Sequence, residues 1–158
     1  MAVWSKVRWP IAICAYLLMG SIAWGQSTSN GVLLTVAQIE SNVLITADVP
    51  LSLLSEDPPE RRAQSTRLMT ALKTAGLFGF PEDAGCVMNA FDALPIAGTG
   101  GAELGISAGW EFKCANPTAV TSIDVGLFAP LAVESIDVFV FPDEQQVLLK
   151  EQPILSLP

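Results

Sequence analysis

Three cysteines, Cys14, Cys86 and Cys114, and sixteen carboxylates are the side chains of this 158-residue chain best suited to chemistry, and it has no histidine. The sharpest signal is the run Trp110-Glu111-Phe112-Lys113-Cys114-Ala115-Asn116-Pro117. Asn116 reads as a helix N-cap and Pro117 as the first helical residue, which puts Cys114 just before a helix start. A thiol there could ligate a metal, act as a nucleophile with a lowered pKa, or close a disulfide. The missing histidine removes Ser-His-Asp and Cys-His catalysis. It also limits a Cys/His zinc site to two thiolates, with two carboxylates needed to complete a tetrahedron.

Carboxylates cluster at Glu56, Asp57 and Glu60, at Glu82-Asp83 and at Asp143-Glu144. Two carboxylates facing each other across a substrate can do acid–base work. Each cluster here falls in a turn or at a helix start, where acids are common for structural reasons. The chain has no DxDxDG calcium loop, and no GxxxxGK[ST] or GxGxxG phosphate run. Gly98-Thr99-Gly100-Gly101 is too short a match and has no helix signal after it. No constellation supports an enzyme. The expectation is a non-enzymatic protein with no catalytic residue and no metal ligand assigned.

The first 25 residues decide the compartment. Lys6 and Arg8 form a basic start, Pro10 to Ala23 is apolar, and Ala23-Trp24-Gly25 offers small residues for a cut before Gln26. This pattern predicts a secretory signal peptide over residues 1–25. A retained anchor is the alternative, but the run is shorter than the roughly 18 residues of a spanning helix. Ile13 stands where a lipid-bearing Cys14 would need a small residue. Residues 26–158 are then predicted to form one domain, long enough for a real core. Losing Lys6 and Arg8 leaves six basic residues against sixteen acidic ones, a net charge of −10. Such a domain repels nucleic acid and anionic lipid, so neither is an expected partner.

Cleavage also removes Cys14. Two cysteines in an exported chain most often pair, and an oxidising compartment does not leave a thiol free. A Cys86–Cys114 bond would close a loop of about 28 residues and contribute roughly 3–4 kcal/mol. A metal thiolate and a reactive thiol are the competing readings of Cys114.

The elements that would position these residues follow from periodicity. Gly31 to Ile39 and Val43 to Val49 read as a hairpin turning at Glu40-Ser41-Asn42. Asp57 caps a helix with Pro58 at its first position, and Leu68, Leu72 and Ala75 recur at helical spacing. Arg61, Arg62, Arg67 and Lys73 fall on its solvated side, and Gly76 and Gly79 stop it. Leu77, Phe78 and Phe80 are placed to anchor the exit on the core. Gly85 to Leu94 is a third strand. Ala97 to Ala102 reads as a flexible loop. Ile106 to Cys114 is a fourth strand, with Ile106, Ala108, Trp110, Phe112 and Cys114 on one face. Val120, Ile123, Leu127 and Phe128 predict a second helix from Pro117 to Pro130. Glu134 to Phe141 and Gln145 to Lys150 are the last two strands, and Pro153 to Pro158 is an apolar tail. Gly-Leu-Phe occurs at 76–78 and 126–128, too short a repeat to establish a duplication. The predicted class is α+β: a largely antiparallel sheet of about six strands with two helices on one face, in ββα-ββα-ββ order, with one disulfide.

Several of these segments carry a family resemblance. GVLLTVA with NVLITADVP, the helix exit LFGFP followed by AGC, WEFKCANPTAVTSIDVGLFAPL, and IDVFVF occur in this order. Together they resemble the ZrgA-like family of exported bacterial proteins, which is associated with zinc. The resemblance implies a periplasmic location and a role in binding zinc or assisting its uptake. Its partners would be a metal-uptake transporter component or another periplasmic protein. Family members carry histidine-rich tracts near the mature N-terminus and between the third and fourth strands. Here those positions read STSNG and PIAGTGGAELG, without a ligand. Zinc is therefore implied as a cofactor by the family, while no metal residue carries over. Cys86 and Cys114 do carry over, as the family's disulfide.

Overall fold

A computed structural model describes residues 31–74, 76–97 and 103–158. The expected signal peptide, the leader to Asn30, Ala75 and all but the first residue of the predicted Ala97–Ala102 loop lie outside them.

The first hairpin forms as its alternation requires. Strand β1 (Val32–Ile39) pairs antiparallel with β2 (Asn42–Pro50) from Leu33↔Asp48 to Ile39↔Asn42. The turn is helped by Glu40, which takes a left-handed φ of 55°. Helix α1 (Pro58–Leu72) starts as predicted: Asp57 accepts the Glu60 amide, with proline at the first helical position. It ends at Leu72, sooner than a spacing through Ala75 predicts. Gly76 follows in a left-handed conformation, φ 95°, which turns the chain out of the helix, and the Trp110 indole N–H donates to the free Leu72 carbonyl at 3.0 Å, inside the core. Arg61 also departs from its predicted solvated side. Its Nε and Nη2 each donate at 2.8 Å, to the carbonyls of Ser55 and Glu56, and tie the helix to its entry loop.

After the short strand β3 (Phe78–Gly79) come β4 (Cys86–Ala97) and β5 (Glu103–Cys114), longer than the sequence predicts at their shared end. The segment from Pro117 to Pro130 corrects the second-helix expectation. It contains a single 3₁₀ turn (Pro117–Ala119), strand β6 (Ser122–Val125) and the start of a four-residue helix α2 (Phe128–Leu131). Asn116 makes no side-chain cap to this turn. Ile123 and Val125 are buried while Ser122 and Asp124 face outward, so a period of two overrides the helical spacing. Strands β7 (Ser135–Val140) and β8 (Glu144–Leu149) follow as predicted, and the apolar tail supplies an unpredicted strand, β9 (Ile154–Ser156).

Six strands form one sheet in the order β4-β5-β2-β1-β7-β8, antiparallel except for the parallel β1–β7 pair. A second sheet, β3-β6-β9, lies with α1 and α2 in a layer over one face. The core fills the space between the layers. The six-stranded sheet contributes inward rows such as Val32, Leu34 and Val36 of β1, and Ile106, Ala108 and Trp110 of β5. The covering layer contributes Leu68, Leu72, Phe78, Ile123, Phe128, Leu131 and Leu155. The class is α+β, with one disulfide, as the sequence predicts.

Two positions test this packing. Trp110→Phe removes the donor to Leu72 while keeping an aromatic ring, and is expected to lower unfolding free energy by about 1–3 kcal/mol in a denaturant titration. An unchanged midpoint would mean that the indole bond contributes nothing. A Cβ on Gly105 would run into the Val49 carbonyl oxygen. Gly105→Ala is therefore expected to cost about 1–3 kcal/mol in the same assay, by prising β5 from the end of β2.

Candidate functional site

Cys86 and Cys114 stand opposite each other in the β4–β5 register, one at the start of β4 and the other at the end of β5. Their sulfurs are bonded at 2.05 Å. Cys114 is the last inward residue of β5 and is only 2% exposed. Its backbone amide donates to the Ser41 carbonyl at 2.8 Å, and the amides of Ala115 and Asn116 donate to the carbonyls of Gly85 and Ala84. The bond thus sits in a knot of backbone hydrogen bonds that closes one end of the sheet. Both sulfurs are occupied, so neither thiolate is free for a metal or a substrate.

The predicted carboxylate clusters have local structural roles. Asp57 caps α1, and Glu60 accepts from the Ser55 hydroxyl at 3.1 Å. Glu82 and Asp83 lie in a 3₁₀ turn before β4, and Asp143 and Glu144 make the turn into β8. These clusters stay apart in the fold. Among the described residues, no three of His, Cys, Asp and Glu come together around a common point.

A different set of acids shares one surface. The face of the six-stranded sheet turned away from the core carries Asp92 on β4, Glu111 on β5, Asp48 on β2 and Asp137 on β7. Register places Asp48 and Asp137 on either side of Leu33 in one cross-strand row. Two strand spacings separate them, roughly 10 Å. A zinc ion with bonds of about 2 Å does not span that gap. Asp48 instead accepts the Ser107 hydroxyl at 2.6 Å, and Glu111 accepts the Asn89 amide at 3.2 Å. Lys113, at one end of this face, is the one base in these six strands. Among the described residues this face is uncovered, and exposed Leu44, Val87, Leu94 and Val147 lie on it beside the four acids. It can attract cationic surfaces but does not converge on an ion. Sequence clustering missed it because each acid comes from a separate strand. The available signal was the outward position of each acid in its strand's alternation.

The disulfide gives a stability test. In protein beginning at Gln26 and made in an oxidising compartment, thiol titration is expected to find no free cysteine. Cys114→Ser is expected to lose about 2–4 kcal/mol of stability. A variant of unchanged stability would show that the bond is dispensable to the fold.

Compared with known proteins, the chain matches the family model described as "ZrgA family zinc uptake protein" over residues 29–154. No curated protein matches it. The matched span begins just before β1, takes in both layers and the disulfide, and ends at the first residue of β9. The chain belongs to the ZrgA family of zinc uptake proteins.

Proposed function

We propose that this chain serves zinc uptake as a non-enzymatic periplasmic protein that acts through protein contact and holds no tight zinc site of its own. The zinc association comes from its family. The observation that carries the rest is the state of its donors. The chain has no histidine, and the two cysteines outside the signal-like segment are bonded to each other. What remains is carboxylate oxygen, a donor better matched to magnesium and calcium than to zinc. The residues present therefore do not fit a zinc site of the His/Cys kind.

Two features support export. Residues 1–25 carry a signal-peptide pattern, and a disulfide persists in oxidising compartments. Among the described residues, no helix is long and apolar enough to cross a membrane. The open acidic face of the large sheet offers a surface for a transporter component or another metal carrier. A periplasmic interaction module with no metal role is the second reading, and the same donor set favours it.

Growth separates the two. Deleting the gene is expected to slow growth in zinc-depleted medium, with no effect in zinc-replete medium. A full-length copy is expected to restore growth, and a copy lacking residues 2–25 is not. Normal growth of the deletion strain under depletion would overturn the zinc reading and leave the interaction module. Rescue by the leaderless copy would overturn the periplasmic location.

A further inference from the structure

A cleft of about 330 Å³ opens at the end of the core, between the turn after β2, the middle of α1 and the exit of α2. Its floor is apolar, formed by buried Leu68 and Leu131, with Leu54 and the exposed Leu53 along its side. No aspartate or glutamate does, although acids outnumber bases two to one in the whole chain. At its lip stands Arg67. The Arg67 Nε donates to its own helix at the Ala63 carbonyl, 3.3 Å away, and among the described residues the guanidinium has no carboxylate partner. Gln64, one turn earlier, accepts the Ser55 amide at 2.7 Å, which holds the cleft's wall to α1. Its amide nitrogen has only a long 3.5 Å bond, to Glu60. Ala132 completes the opposite wall in a left-handed conformation, φ 53°, where glycine is the easier residue. That wall is thus methyl-bearing where a bare backbone would relieve the conformation.

We infer that this cleft binds a monocarboxylate with a plain hydrocarbon tail free of amide groups, the tail on the leucines and the carboxylate on Arg67. The volume lies at the small end of ligand pockets, roughly 300–1,000 Å³. The guanidinium fork matches a carboxylate in geometry and charge. A cation at the lip of an acid-free, leucine-lined cleft selects an anion with an apolar tail. It disfavours both a neutral lipid and a small inorganic ion. The inference is independent of the zinc reading.

The test is an NMR titration of the disulfide-bonded protein, residues 26–158, with octanoate. Saturable amide shifts are expected at Leu53, Arg67 and Leu131. Octanol and acetate, which carry the tail or the charge alone, are expected to bind more weakly. Arg67→Gln changes an exposed side chain and is expected to weaken octanoate by about fivefold or more, with the remaining spectrum unchanged. Leu53→Asp places a carboxylate on the cleft's exposed side and is expected to abolish binding. The inference is overturned by unsaturable or scattered shifts, or by equal affinity in Arg67→Gln. Tighter binding of N-acetyl-leucyl-leucine than of octanoate also overturns it, and assigns the cleft to a peptide C-terminus.

Discussion

The bond from the Trp110 indole to the Leu72 carbonyl joins the two layers of this protein. Helix α1 fully buries only Leu68 and Leu72, both in its last turn and a half, with Met69 partly buried beside them, so its seat on the sheet is confined to that end. The same ring meets Phe78 of β3 edge-on at 5.0 Å and Phe91 of β4 at 5.6 Å. One side chain thus touches the helix, the small sheet and the edge of the large sheet. Such a position suits tryptophan, which combines a large apolar body with one donor that must be satisfied when buried. Phe112, next along the inward row of β5, extends the contact to Phe78 and Phe80, and Cys114 ends the row in the disulfide.

This inward row leaves the other face of the sheet uncovered among the described residues, and four carboxylates lie there. All elements of the second layer pack on the same side. The uncovered face keeps four carboxylates, spread over four strands by the sheet's own spacing. Charges fixed at that spacing set a field over a surface without building a chelate. The family's zinc association and this chain's lack of histidine and of an unbonded cysteine beyond residue 25 are compatible if the protein's contribution is contact with another zinc-handling protein.

Legibility in the sequence followed the range of the interactions. The β1–β2 hairpin, the Asp57 cap and the alternation of β5 depend on neighbours a few residues apart, and all three were readable. The Cys86–Cys114 pairing was favoured because compartment and cysteine number left few partners. The segment from Pro117 to Pro130 misled because Val120, Ile123, Leu127 and Phe128 fit a helical stripe. In the fold, Ile123 pairs with Leu155 and Val125 with Phe78, contacts that no local pattern encodes. The tail became β9 for the same reason. The acidic face was hidden because β2 pairs with β5, and β1 with β7, across long stretches of chain. The cleft at Arg67 depends on three segments meeting, and only one of them, α1, was recognisable from local pattern.

The most direct test of the central claim is a calorimetric zinc titration of the disulfide-bonded protein, residues 26–158. The expected result is no site of micromolar affinity or tighter at neutral pH, because only dispersed carboxylates are available. Stoichiometric binding at micromolar affinity or tighter would contradict the account, since carboxylates would then form a zinc site without histidine that this fold assembles.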